Sequence, residues 1–388
     1  MLPANLADTG LHDPALDDAL LRLVAAGGPS LPRRRLLEAY ASPDAALAAG
    51  PAAWRAAGLD TAQMRALQDP CPVDARTRDW LAHPNHRLLG WHDPDYPALL
   101  RRIPSPPLAL FVAGDAHLLW YPSIAVVGSR IPTAGGRDNA RDFSAAFAEA
   151  GFAVCSGLAA GVDAAAHQAA LGADGITLAV LGSGIDVPYP RSNNDLHRRI
   201  AARGVVVSEH PPGTQARREH FPSRNRIIAG LSLGTLVIEA AERSGALITA
   251  RMATDAGREV FALPGSIHNP MARGCHRLIR DGVALVESAD EVVAALAPLA
   301  ATLGDALRGR LAAPIPSSGN GISVAAHADA PADPDYKRLW SALGHDPSPM
   351  DRLVDRTGLT AAELSAMLLV MELEGRVACE HGRYSRLS

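Results

Sequence analysis

Six short apolar runs, SIAVVG, FAVCSG, ITLAVLG, VVVSEH, TLVIEA and REVFALPG, recur between residues 123 and 265, each ending in turn residues and followed by a helical segment. Runs this continuous leave little room for alternation of polar and apolar residues, so both faces of each strand must be covered. Strand and helix alternating in this way confine residues 83–298 to the α/β class, a doubly wound, mostly parallel sheet with helices on both faces. Ligands in that class bind at the carboxyl ends of the strands, so the loops that directly follow the runs are where function is sought.

After the first run comes GSRIPTAGG, residues 128–136. It is not GxGxxG, and no acidic residue ends the second strand to hold a ribose, which argues against a dehydrogenase-type dinucleotide site. Gly128 permits close approach of the backbone, Ser129 offers a hydroxyl and Arg130 a cation, a set suited to a single phosphate. The second loop, SGLAAGVDAAAHQAAL, brings Gly157 and Gly161 to a helix start with Asp163 and His167 just inside. Asp at a helix entry and His on an Ala-rich helix are ordinary structural choices, so catalysis there is disfavoured.

The stretch EHFPSRNRIIAGLS follows the fourth run. Ser223 stands where an N-cap is expected, which places Arg224, Asn225 and Arg226 in the first helical turn. Cations are unfavourable at that end of the dipole unless an anion is bound, so the turn reads as a phosphate site. After the last run, LPGSIHNPMARGCHRLIRDG supplies Gly265, Ser266, Asn269, Arg273 and Gly274 before another helix. Several such loops on one sheet edge suit an extended polyanion. No GxxxxGK[ST] loop, no paired carboxylates with a metal-ligand His and no activated nucleophile occur, so the chain reads as non-catalytic, without metal or cofactor.

Charge distribution supports this direction. The formal net charge is -4, yet between Arg191 and Arg226 eight arginines face three carboxylates. A field concentrated in this way counts for more than the net value. Lys337 is the only lysine. Cys71, Cys155, Cys275 and Cys379 are far apart without metal-ligand spacing and read as buried thiols. No apolar run is long enough to cross a bilayer, and the N-terminus lacks the regions of a signal peptide, which points to the cytoplasm and away from membranes.

Outside the α/β region, residues 1–82 carry helical periodicity broken by Gly-Gly-Pro, and residues 299–334, rich in Ala, Pro, Ser and Gly, read as a flexible linker. Residues 335–388 follow the order helix, helix, turn, helix, hairpin of a winged helix. Ser348 with Pro349 is expected to open one helix, and Thr360 with Glu363 forms a capping box for the next.

The motifs VGSR, SGLAAGVDAAAH, GSGIDVPYP, FPSRNRIIAGLS, GALITARMATDAGREVFALPGSI and GCHRLIRDG, in this order over about residues 85–298, closely resemble the DNA-processing protein A (DprA/Smf) family. The resemblance implies an extended Rossmann-like domain that binds single-stranded DNA, forms a homodimer, and loads the RecA recombinase on incoming strands during natural transformation. It implies phosphate contacts from Gly128, Ser129 and Arg130, from Arg224, Asn225 and Arg226, and from Gly265, Ser266 and Asn269. Gly157 and Arg273 join them from the residue reading. His276 stands where many members have Asn. The flanking regions resemble, more weakly, the family's helical accessory domain, of the SAM or helix-hairpin-helix kind, and its winged helix. With few Trp and Phe, base stacking is expected to contribute little and salt dependence to be steep.

The last helix of the winged segment, TAAELSAMLLVMELE, carries Glu363, Glu372 and Glu374 and no basic residue. A groove-reading helix needs the opposite charge. The segment is therefore expected to make a protein contact, or to use only Arg376, Arg383 and Arg386 in its wing, which disfavours a transcription regulator. The enzyme alternative is a nucleotide phosphoribohydrolase of the lysine-decarboxylase-like fold. That family has PGGxGTxxE where this chain reads EAAERSGALITA, without the Gly-Gly loop.

Overall fold

The computed structural model describes residues 14–386 apart from 41, 70–72, 313–333 and 344–346. Cys71 and most of the expected linker lie outside the described residues. The chain divides into two units, one of Met1–Tyr96 with Pro107–Phe111 and one of Pro97–Pro106 with Val112–Ser388.

The first unit contains short helices around a core of Leu23, Leu36, Trp54 and Leu67. It extends beyond the expected boundary at 82 to include the strand His86–Gly90. Two contacts tie this extension in: Trp80 stacks on His86 with centroids 4.0 Å apart, and Tyr96 donates its hydroxyl proton to Pro107 O at 2.9 Å.

In the second unit the six apolar runs form strands, as the pattern implies. These are β1 (Ser123–Val127), β2 (Ala153–Ser156), β3 (Thr177–Leu181), β4 (Val205–Ser208), β5 (Gly234–Val237) and β6 (Glu259–Ala262), and a short β7 (Ala284–Leu285) follows. All neighbouring pairs are parallel, in the order β4-β3-β2-β1-β5-β6-β7. Every residue of β1 to β5 is buried. The intervening helices are α1 (Ala134–Glu149), α2 (Val162–Gly172), α3 (Asn194–Arg203), α4 (His220–Leu231), α5 (Gly245–Asp255), α6 (Arg273–Arg280) and α7 (Ala289–Ala312). The core is built from Ile124, Val126, Phe147, Val154, Leu236 and Phe261 with residues from these helices. Burying each such side chain contributes roughly 1.5 to 3 kcal/mol. Strand order reverses between β1 and β5, so the crevice of this Rossmann-like sheet opens at the loops that follow those two strands.

Helix α7 continues to Ala312, so residues 299–312 are helical where a linker was expected. Its second half packs Leu299, Ala300 and Leu303 on the same core, an apolar face that an Ala-rich composition conceals. The winged helix comprises α8 (Pro334–Ala342), α9 (Met350–Thr357) and α10 (Ala361–Leu373). Its sheet holds β8 (Ser348–Pro349), β9 (Val377–Glu380) and β10 (Arg383–Arg386), in the order β8-β10-β9. The capping box at α10 forms as expected: Glu363 N donates to Thr360 Oγ1 at 3.3 Å and Thr360 N to Glu363 at 2.8 Å. At α9 the expectation shifts. Ser348 and Pro349 pair with Tyr384 and Arg383 as a strand, and the helix starts one residue later, at Met350.

Candidate nucleic-acid interface

The loop after β1 enters the crevice at Gly128. A Cβ there would lie 2.7 Å from Val162 Cγ2 and 3.0 Å from Glu239 O, so only glycine lets the backbone pass. Ser129 is buried, and its Oγ accepts from Ile131 N at 3.1 Å, which turns the chain. Val162 N donates to Ser129 O at 3.1 Å, lacing the loop after β1 to that after β2. Arg130 is exposed, with its guanidinium 5.2 Å from the centroid of Phe221. Phe221 in turn lies 5.4 Å from the ring of Tyr189, which is 48% exposed.

Helix α4 begins earlier than the sequence suggests. Its first residue is His220, and Ser223 is internal, donating to His220 O at 3.0 Å instead of capping. Pro222 sits in the first turn, where its missing N–H costs nothing. Arg224 consequently lies a full turn into the helix and is 5% exposed. Its Nη1 donates to Gly157 O at 2.6 Å and to Val180 O. Gly157 has no alternative here, because a Cβ would overlap the guanidinium.

Below this loop Asp163 accepts from Gly157 N at 3.1 Å and Ala159 N at 3.3 Å. Burial pushes its carboxyl up, opposed by Arg224 and those amides. Burial also pulls Arg224 down to about 10, with Asp163 opposing, so the guanidinium stays charged at neutral pH. His167 is fully buried, 2.6 Å from Thr177 Oγ1, and burial lowers it to about 3. Both residues serve the scaffold.

The other two residues of the RNR triplet are also engaged. Asn225 donates to Gly245 O at 3.3 Å. Arg226 reaches both carboxylate oxygens of Glu209 at 2.6 Å, with side-chain exposures of 18% and 27%.

In the loop after β6, His276 Nε2 meets Gly265 O at 2.9 Å and Gly265 N at 3.3 Å. The residue that departs from the family pattern thus pins this loop. Ser266 and Arg273 are exposed. Asn269 spends both ends of its amide within the protein: Nδ2 donates to Glu239 Oε1 at 3.0 Å, and Oδ1 accepts from Met271 N at 2.9 Å.

Glu239 was not singled out from sequence. It follows β5 at the crevice, is 6% exposed, and accepts from Thr133 N at 2.9 Å and Thr133 Oγ1 at 2.6 Å as well as from Asn269. Thr133 caps α1 by accepting from Gly136 N at 3.0 Å. One carboxylate therefore ties the loop after β1 to the loop after β6. The signal available in the sequence was an acid directly after the run TLVI, at the strand where the order reverses.

Six exposed arginines without a carboxylate partner among the described residues lie on the loops of this edge or at the helix starts that follow them, while others of the kind, such as Arg35, Arg55, Arg199 and Arg280, lie elsewhere. Arg130 follows β1, Arg191 follows β3, Arg217 and Arg218 follow β4, Arg243 follows β5, and Arg273 follows β6. The surface is an arc of arginines with an aromatic pair, carried on loops held from below. The wing of the winged helix differs: the guanidinia of Arg376 and Arg386 lie 4.6 and 4.5 Å from the Trp340 ring, and only Arg383 is exposed. Among the described residues no group of three or more His, Cys, Asp and Glu side chains is placed to hold a metal ion.

Comparison with known proteins matches residues 87–297 to the family of DNA recombination-mediator protein A and residues 323–383 to the DprA winged helix domain. Protein Smf of Escherichia coli K12 is 40% identical over 313 residues, covering 79% of each chain. Protein Smf of Synechocystis is 38% identical over 320 residues, covering 78% of this chain and 80% of its own. The X-ray structure of DNA processing protein A from Streptococcus pneumoniae superposes with a TM-score of 0.64 at 37% identity, covering 71% of this chain and 96% of that one.

Proposed function

Because this chain belongs to the DNA recombination-mediator protein A family, we propose that it processes DNA by holding single-stranded DNA along the carboxyl edge of its Rossmann-like sheet, without catalysing a reaction on it. The observation that carries this reading is the arc of exposed arginines that follow β1, β3, β4, β5 and β6 at one edge of the sheet. In it, Arg130, Arg191, Arg217, Arg218 and Arg273 meet successive phosphates, assisted by the Ser266 hydroxyl and by the close backbone at Gly128, Ser129 and Gly265. Arg224, Asn225 and Arg226 act from beneath with Gly157 and Asn269, fixing the loops that present the cations. A strand of single-stranded DNA supplies the repeating charge that such an arc can satisfy at several points.

The aromatic pair modifies the expectation that stacking adds little. Tyr189 and Phe221 lie beside Arg130 and offer a base one platform. Tyr189→Ala should weaken binding of an oligo-dT strand by about 1 to 3 kcal/mol while leaving the salt slope unchanged, because no phosphate contact is removed. Fluorescence anisotropy of a labelled strand, titrated from low to high salt, tests the whole reading: tight, salt-sensitive binding supports it, and absence of binding at low salt refutes it.

In the same reading the protein is a cytoplasmic homodimer, joined through the Rossmann-like domain, that passes the bound strand to the RecA recombinase during natural transformation. Exposed apolar side chains available for such contacts include Ile131, Ile267 and Leu285, all on that domain. No described helix is long and apolar enough to cross a membrane. No observation favours the phosphoribohydrolase alternative.

A further inference from the structure

Helix α10 occupies the position from which a winged helix reads a DNA groove. Two apolar faces run along it. Leu364, Leu368 and Met371 belong to the winged helix's own core, whereas Leu369, 4% exposed, belongs to the core built around Ile124, Leu236 and Phe261, with Leu373 packed beside it. Between these faces Glu372 places Oε2 at 3.7 Å from Nη1 of Arg258, and the two side chains are 5% and 6% exposed. Arg258 immediately precedes β6, and its Nη2 donates to Leu99 O at 3.2 Å. Arg102 adds a second positive field at Glu372. The hairpin docks as well: a Cβ at Gly257, where φ is +67°, would lie 2.6 Å from Cys379 Sγ and 3.0 Å from Tyr384 Oη. Gly257, Arg258 and Glu259 stand at the amino end of β6, opposite the edge that carries the arginine arc.

We propose that the winged helix is a docking module for its own Rossmann-like body, with α10 as the bound face and the Arg258–Glu372 pair as its key, and that it does not read duplex DNA. Burying two charges costs more than an apolar contact would, so the value of the pair is discrimination. A seating of α10 that keeps one of the two charges buried without the other leaves it unpaired. The acidic character of α10 then has a structural cause, since Glu372 is directed at an arginine of the sheet. The arrangement also leaves the carboxyl edge uncovered, so this inference stands or falls separately from the assignment of the DNA site.

Cys379 lies between the winged helix's own core and Gly257, so its labelling by a thiol reagent in the full-length chain, compared across charge variants of the pair, reads the docking. It should be slow in the parent, about tenfold faster in Glu372→Arg, and slow again in Arg258→Glu/Glu372→Arg, where the pair is restored with its signs exchanged. A cross-link provides a second readout. Gly257→Cys should join to Cys379 on mild oxidation, as mapped by peptide mass, and adding Glu372→Arg should suppress it. Equal labelling in all three proteins, or failure of the exchanged pair to restore protection, would overturn the proposal. So would a parent chain that binds duplex as tightly as single strands and loses that binding when residues 334 to 388 are removed.

Discussion

Arg224→Ala should destabilise the protein by about 2 to 4 kcal/mol in urea unfolding, because it strips a buried charged donor from two carbonyls and removes the positive field acting on Asp163. The guanidinium opposes the effect of burial on Asp163 and satisfies the carbonyls of Gly157 and Val180, which ties the loop after β2 to β3. The pH dependence separates this cause from simple loss of packing. Asp163 already has its carboxyl raised by burial, and without Arg224 it rises further. A carboxyl whose folded pKa exceeds its unfolded value binds protons preferentially in the folded state, so stability falls as pH rises through that pKa. The deficit of the variant relative to the parent should therefore narrow as the pH is lowered. A deficit constant with pH would mean that the lost contacts, and not the stranded charge, set the cost.

Glu239→Ala should weaken single-stranded DNA binding on the order of a hundredfold, corresponding to about 2 to 3 kcal/mol of lost preorganisation from hydrogen bonds to a charged group. The direction is diagnostic. Removing a carboxylate from beneath the proposed phosphate-binding edge makes the site more positive, so electrostatics alone would tighten binding. The loops after β1 and β6 depend on this acid through Thr133 and Asn269, and releasing them outweighs the charge gained. Glu239→Gln keeps one acceptor oxygen and should recover part of the affinity. The salt slope should stay near the parental value in both variants, which identifies a positioning residue and not a phosphate contact.

Much of this was legible in the sequence because the strands are short, continuous and apolar, and because a parallel sheet sends its loops to one edge. Gly128, Arg130, Ser266 and Arg273 could be placed there from the runs alone. The fate of Arg224 could not, since its hydrogen-bond partners lie 67 and 44 residues away along the chain. The start of α4 was misplaced for a local reason: Ser223 reads as an N-cap, yet it lies inside the helix and donates to His220 O. Glu239 lacked any motif of its own, and its importance arises only where the strand order reverses. The charge cluster was visible as composition, but composition does not distinguish Arg226, paired with Glu209, from Arg217 and Arg218 on an exposed loop. In α7, alanine content suggested a linker where Leu299 and Leu303 pack on the core.

The central claim, that the exposed arginines and not the internally bonded Arg224, Asn225 and Arg226 meet the phosphates, is tested most directly by the salt dependence of oligo-dT binding. The parent would be compared with Arg130→Ala/Arg217→Ala/Arg218→Ala by anisotropy. Three lost contacts should reduce the slope of log K against log salt by about 2, at roughly 0.7 per contact on a single strand, and lower the affinity about tenfold at intermediate salt. A variant with the parental slope and affinity would contradict the account and place the DNA elsewhere on the molecule.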